Sequence, residues 1–454
     1  MRATAILKSG WREPVEVLAA CADDDFSMGL LSDGVGARGR WSYVLHGPAR
    51  TLLTRPGAAG DPFVQMAALL GEREARPGAP DGPPFQGGLA GLFGYELGAR
   101  IEAVGHGAHP DWPDLACGLY LGVLAFDHER RELIALGRGA TDAEAMTRAR
   151  AALALLERAP QQPPASPGPV TDEFGVLTPG EDYERSVARV VERIAAGEIF
   201  QANIARAWGG RLRPGARPFD VIARLRDGSP APFAAYLKLP GRAVVSNSPE
   251  RFVLVTNDGG LAVESRPIKG TRPRGATPEE DEALKQELED CEKDRAENLM
   301  IVDLMRNDIS RVCLAGSVAV TELFKLETYA NVHHLVSTVT GRLAPGFSAP
   351  DLFRAAFPPG SITGAPKVQA MKVIADYEGP RGPYCGSMFW AGFDGAGDSS
   401  VLIRTAAFVE TPEGWRFEAR AGAGIVADSD PHQERLETEA KIDALRRAFA
   451  GDDR

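Results

Sequence analysis

The chain has 454 residues, 44% hydrophobic, 25% charged and 7% aromatic, with a formal net charge of -11. Its composition is that of a globular protein and excludes disordered and fibrous classes, while its length allows one large or two to three ordinary domains, because single cores stop growing near roughly 250–300 residues. The acidic balance argues against nucleic acid, whose phosphate backbone needs clustered Lys and Arg.

The opening MRATAILKSGWREPVEVLAA lacks the apolar core of a leader, and no run of ~18 apolar residues follows it, so the chain is expected in the cytoplasm and not in a membrane. Next come GGLAGLFGYELGARIE, DLACGLYLGVLAFDH and RELIALGRG, short apolar runs broken by glycines and charges, which read as strands and turns. A helix, ATDAEAMTRARAALALLERA, leads into RAPQQPPASPGPV, residues 158–170, where repeated proline forbids a helix and disfavours a paired strand. The chain therefore divides into a first region, 1–157, a Pro-rich linker, 158–170, and a second region, 171–454. The five cysteines (Cys21, Cys117, Cys291, Cys313 and Cys385) form no CxxC pair, so neither a disulfide frame nor a zinc site is indicated.

After the linker, EDYERSVARVVERIAAGEI places Val187, Val190, Val191 and Ile194 on one helical stripe, with Gly197 as a C-terminal cap. RAVVSNSPERFVLVTNDGGLAVESRPI reads as strands joined by a turn at Asn257–Gly260, so that Lys269, in SRPIKGTRPRG, sits where a strand ends. The acidic segment from Pro278 to Asp308 reads as one long helix with Ile301, Leu304 and Met305 buried. A Gly-Pro loop (FPPGSITGAPK), a helix (VQAMKVIADYE), strands through SSVLIRTAAFV and RFEARAGAGIV and a closing helix (PHQERLETEAKIDALRRAFAG) complete the chain. Helices and strands interleave without a βαβ rhythm, which gives an α+β class.

Several side chains could carry chemistry. Glu434 and Glu437 lie one turn apart on the closing helix, a spacing that a solvated surface also explains. Asp294 and Glu297 repeat it at the edge of the apolar run LMIVDL, and carboxylates converging from two helices would suit Mg²⁺, a hard cation that takes oxygen ligands. Arg404 is a cation inside an apolar, strand-like run, and either a structural acid or a substrate carboxylate must answer it. The GAGI turn at Gly422–Ile425 could offer backbone N–H groups to an anion. His334 reads as a structural histidine, although one of His333 and His334 must face inward if the segment is extended. Glu250, after a proline in SNSPERF, could be exposed or point into a cleft. No Gly-x-Cys-x-Gly, Walker or GxGxxG loop occurs.

Taken in order, GGLAGLFGYELG, GEIFQANIAR, SPERF, PIKGT, DRAENLMIVDLMRND, HLVSTVTG, PGSITGAPKVQAM, YCGS, IRTA, AGAGIV and the closing ExxETxxK resemble the chorismate-utilising enzymes over nearly the whole chain. The resemblance implies two large antiparallel sheets forming a sandwich with helices outside, the two regions sharing one intertwined core. It implies Mg²⁺ held by Glu297, Glu434 and Glu437 with Asp294 behind them, so that the metal takes the ring carboxylate of chorismate. Arg404, Tyr384 and the amides near Gly422 and Gly424 are implied for the enolpyruvyl carboxylate. Ser361 and Thr363 would line that pocket, Lys441 of the ExxETxxK motif would also meet substrate, and His334 would stand near the leaving hydroxyl.

Within the family, isochorismate and salicylate synthases carry a lysine base where this chain has Gln201, and an amide cannot deprotonate water. Anthranilate synthases carry a small or apolar residue where this chain has Lys269. The PIKGT lysine is the mark of the aminodeoxychorismate branch, in which the amine attacks C2, expels the C4 hydroxyl and is displaced by ammonia at C4. Glu250 is then the general acid and base. Without a glutaminase loop in the chain, ammonia is expected from a separate glutamine amidotransferase subunit, and the product leads to 4-aminobenzoate and folate. The alternative is an anthranilate synthase large component. Only a neutral amine attacks, and an ordinary lysine, with a reference pKa of ~10.4, is almost wholly protonated at neutral pH. Whether Arg266, Arg272 and Arg274 press on the amine is open at this level.

Overall fold

A computed structural model describes residues 3–74, 82–105, 107–160, 168–329 and 332–451. The middle of the Pro-rich linker, 161–167, lies outside the described residues. Among those described, the strands form one 12-stranded and one 10-stranded sheet, and every pairing is antiparallel.

Both sheets draw strands from either side of the linker. In the larger, Met28–Leu31 pairs with Phe233–Leu239, and in the smaller, Gly88–Phe93 pairs with Ser387–Gly392. Their facing surfaces enclose a core that includes Met28, Tyr43, Leu92, Leu237, Val244 and Met388. The larger sheet's other face packs on helices Pro218–Gly228 and Pro431–Ala450 through Phe219, Ile222, Leu445 and Phe449. The smaller sheet's outer face packs on Glu292–Ser310 and Ala349–Ala356 through Ile301, Met305 and Phe353. Each layer thus buries one apolar face against the next. None of these helices is long and apolar enough to cross a membrane.

The expected helix after the linker forms as Gly180–Ala195, with Val187 and Val190 buried, Val191 and Ile194 packed at the edge, and Gly197 beyond it at φ 78°. The hairpin forms as well: Arg251–Asn257 pairs with Leu261–Ser265. Three local readings need correction. The acidic segment is not one helix but two, Pro278–Asp290 and Glu292–Ser310, because Cys291 leaves helical geometry with ψ 101°. Arg272 spans that break, donating to Glu287 at 2.7 Å and to Asp294 at 3.2 Å. SSVLIRTAAFV is likewise not continuous strand: Gly397–Val401 belongs to the smaller sheet and Thr405–Thr411 to the larger, so the chain crosses between sheets at Leu402–Arg404. GAGI is not a turn, since Gly422 to Ile425 close the strand Gly414–Ile425.

Candidate active site

A cavity of about 2260 Å³ lies between the sheets, and every expected site residue except Thr363 lines it: Lys269, Glu250, His334, Arg404, Tyr384, Ser361, Gly422, Gly424, Lys441, Asp294, Glu297, Glu434 and Glu437. Thr363 is fully buried and donates its hydroxyl to the Pro359 carbonyl at 3.0 Å, so it closes the Gly360–Ile362 turn instead of facing the cavity.

Arg404 shows how the backbone builds this wall. The crossing between sheets puts it at φ 54°, a left-handed conformation that costs a non-glycine residue roughly 1–2 kcal/mol. Its guanidinium has no hydrogen bond or ion pair among the described residues, and burial lowers its pKa below the usual arginine value. The sequence left open a structural acid or a substrate carboxylate. Among the described residues no acid pairs with it, and Glu437 only attracts its charge from a distance.

Beside it, Tyr384 is 5% exposed, and burial holds its phenol far above the ordinary tyrosine range, so the hydroxyl keeps its proton. A Cβ at Gly422 would come within 3.0 Å of that hydroxyl and of Asn203 Oδ1. The Gly422 carbonyl accepts from Lys441 Nζ at 2.9 Å, on the side of the strand away from Gln201–Arg211. In an extended strand a residue's N–H points with its C=O, so the amides of Gly422 and Gly424 lie on that side too. The glycines thus offer amides to an anion from within a strand.

The carboxylates come from two helices, Glu292–Ser310 and Pro431–Ala450, linked by Lys293 Nζ to Glu434 at 3.8 Å. Glu297 meets Lys269 Nζ at 3.8 Å, and Glu437 pairs with Lys441. Burial raises Glu297 and Glu434, and Glu437 raises both further; burial also works against Glu437, but the Lys441 ammonium keeps it low. Three acids that push on one another are a donor set of hard oxygens suited to a divalent cation, although no ready cage of three or more ligands stands among the described residues. Asp294 pairs with Arg272 and sits behind Glu297 on the same face.

Lys269 does not sit where a strand ends: the hairpin strand stops at Ser265, and Lys269 is the second residue of the next strand, Ile268–Pro273. Its arginine neighbours point elsewhere: Arg266 pairs with Glu327, Arg272 with Glu287, and Arg274 with Asp281 at 2.7 Å. None is left over to press on the amine. Glu250 is 7% exposed, and burial raises its carboxyl pKa against the pull of Ser361, Lys269 and Lys441, which suits an acid that donates a proton. His333 is fully buried against Asp281 at 2.8 Å, whereas His334 faces the cavity with Nδ1 2.9 Å from Thr271 Oγ1. Burial lowers His334 to about 4, so it acts there as a neutral imidazole.

The sequence reading missed the brace behind Tyr384. Arg381 is 2% exposed, pairs with Glu378 at 2.8 Å, donates to the Asn203 carbonyl at 2.7 Å, and lies 5.8 Å from the Tyr384 ring centroid. Glu96, from the first region, accepts the N–H groups of Arg381 at 2.6 Å and Gly382 at 3.0 Å. An acid in the apolar run GYELG and an arginine two residues before PYCG were the available signals. Asn203, which also lines the cavity, was passed over between Gln201 and an apolar run.

Residues 32–447 match the family described as chorismate binding enzyme. Among curated proteins, aminodeoxychorismate synthase component 1 of Escherichia coli (strain K12) is 40% identical over 410 residues, covering 90% of this chain and 85% of that protein. Anthranilate synthase component 1 of Streptomyces coelicolor is 37% identical, covering 96% of this chain and 87% of that protein. Among solved structures, anthranilate synthase component I from Streptococcus pneumoniae TIGR4 superposes with a TM-score of 0.76 at 27% identity, covering 90% of this chain and 93% of that one.

Proposed function

The chain belongs to the chorismate binding enzyme family, and from that premise we propose that it is an aminodeoxychorismate synthase component 1, which converts chorismate and ammonia to 4-amino-4-deoxychorismate. The observation that carries the reading is Lys269, an amine reaching the cavity wall that Arg404, Glu250 and the acid group share. A small or apolar residue there, as in anthranilate synthases, would remove the amine that meets Glu297 at this wall.

Arg404, the Tyr384 hydroxyl and the amides of Gly422 and Gly424 take the enolpyruvyl carboxylate, while Lys441 helps to hold the strand that carries those glycines. Glu297, Glu434 and Glu437, with Asp294 behind them, would hold Mg²⁺, which when bound supplies Lewis acidity and a template for the ring carboxylate. Lys269 Nζ bonds to C2, the ring double bonds shift, and the C4–O bond breaks. Glu250 gives its proton to the departing hydroxyl, which leaves as water, and takes one back from the new C2 ammonium. His334, neutral and facing the cavity, hydrogen-bonds the departing group. Ammonia then bonds to C4, the double bonds shift back, and the C2–N bond breaks as Glu250 gives its proton to the departing lysine nitrogen and takes one from the C4 ammonium, which returns Lys269. One hard substitution becomes two allylic ones. The ammonia comes from a glutamine amidotransferase subunit, and the product serves 4-aminobenzoate and folate synthesis in the cytoplasm.

Product identity tests the reading. With chorismate, Mg²⁺ and ammonium, the purified chain should give a product that an aminodeoxychorismate lyase converts to 4-aminobenzoate. Direct release of anthranilate would place it with the anthranilate synthases.

A further inference from the structure

Gln201 is fully buried, and neither its Oε1 nor its Nε2 has a hydrogen-bond partner among the described residues. Leaving a buried polar group unpaired costs about 1–3 kcal/mol. Gln201 opens the strand Gln201–Arg211, and strand alternation turns it to the same face as Asn203, which lines the cavity. Asn203 lies opposite Gly424 in the ladder. A Cβ at Gly424 would stand 2.9 Å from Gln201 Nε2 and 3.2 Å from Lys269 Nζ. The amide nitrogen and the amine are therefore no farther apart than those two lengths together, and a half-turn of the amide brings Oε1 to the place that Nε2 holds.

We propose that Gln201 is a positioning residue for the nucleophile: its amide oxygen accepts an N–H of the Lys269 amine and turns the nitrogen lone pair toward the ring. The inference rests on the amination reading above and adds to it the group that aims Lys269. Glu297, 3.8 Å from the same amine, offers a charged acceptor. An uncharged amide holds an N–H without adding charge and without taking the proton, so the nitrogen keeps the lone pair that forms the C2–N bond. Once that bond forms, one N–H remains for the same acceptor.

The test uses Gln201→Met, which keeps length and removes the acceptor, and Gln201→Asn, which keeps the amide and shortens its reach. Wild type and variants are mixed with chorismate and Mg²⁺ without ammonium, adduct formation on Lys269 is followed by rapid-quench intact mass, and chorismate affinity is read by calorimetry. The expected result is a fall of about tenfold or more in the adduct rate for both variants, with chorismate affinity within about twofold of wild type. An unchanged adduct rate overturns the inference. So does a loss of affinity that parallels the rate, because Gln201 would then only support the pocket. Wild-type protein that forms no adduct would overturn the amination reading itself and this inference with it.

Discussion

Replacing Arg404 by methionine should weaken chorismate binding and stabilise the unliganded protein, two effects of opposite sign from one side chain. The guanidinium faces the cavity with no ion pair or hydrogen bond among the described residues, and burial already disfavours its charge. Removing a buried charged partner of a carboxylate costs roughly 2–5 kcal/mol, and a central value of about 3 kcal/mol corresponds to roughly two orders of magnitude in Kd. Without ligand the same charge has no paired acid among the described residues, only the more distant pull of Glu437. Full burial of a lone charge costs several kcal/mol, but the residue keeps some accessible surface through the cavity, so about 1 kcal/mol of added stability is the reasonable expectation for the variant. The left-handed backbone strain is common to both side chains and cancels. Calorimetric titration with chorismate and Mg²⁺, together with urea unfolding of the unliganded proteins, reads both quantities. A variant clearly less stable than wild type would mean that an acid inside the fold answers Arg404, and unchanged chorismate affinity would remove it from the site.

Other substitutions separate the remaining roles. Lys269→Ala should abolish ammonium-dependent amination and the mass adduct while chorismate still binds by calorimetry; retained activity would remove the covalent route. Glu434→Gln, alone or with Glu297→Gln, should raise the Mg²⁺ concentration needed for half-maximal chorismate binding by about tenfold or more, and an unchanged Mg²⁺ dependence would take these acids out of the metal site. Glu96 gives a pH dependence of stability. Burial raises its pKa from 4.5 to about 7, so the folded state holds this proton more tightly than the unfolded chain does. Its contribution is fully present below about pH 4.5 and is lost as pH rises through about 7, by about 3 kcal/mol at most. Urea unfolding across that window should show the loss, and Glu96→Gln should flatten it; an identical slope in the variant would show that other groups set the dependence.

What the sequence made legible follows the range of the forces involved. The helix at Gly180–Ala195 and the hairpin at Asn257–Leu261 depend on periodicity and turn residues a few positions apart, and both were readable. The break at Cys291 and the crossing at Leu402–Arg404 were not, because each is imposed by a distant partner: Arg272 across the helix break, and the second sheet at the crossing. The site residues were read through a family resemblance more than through local pattern. Spacing alone left Glu434 and Glu437 on a solvated helix surface, and only the second helix, with Glu297, turns them toward a shared cavity. Thr363 does not line the cavity because a motif carries its neighbours along: Ser361 reaches the cavity, and Thr363 holds the turn that puts it there.

The brace formed by Glu96 and Arg381 bears on why the first region belongs to the site although it contributes none of the groups proposed for catalysis. Tyr384 is placed by the loop that follows Glu378, and that loop is fixed from below by the Arg381–Glu378 pair and from the side by the Glu96 carboxylate on two successive N–H groups. Glu96 itself sits on the short helical turn Tyr95–Arg100, directly after a strand that pairs with Ser387–Gly392. One strand pairing and two hydrogen bonds thus tie the position of a hydroxyl on the cavity wall to residues nearly three hundred positions earlier in the chain. A carboxyl buried this deeply needs fixed hydrogen-bond partners, and here they are backbone amides that cannot rotate away. The rigidity that keeps Tyr384, Asn203 and Gly422 in mutual contact is therefore a property of both sheets together. It exists only when residues on the two sides of the Pro-rich segment have folded as one core.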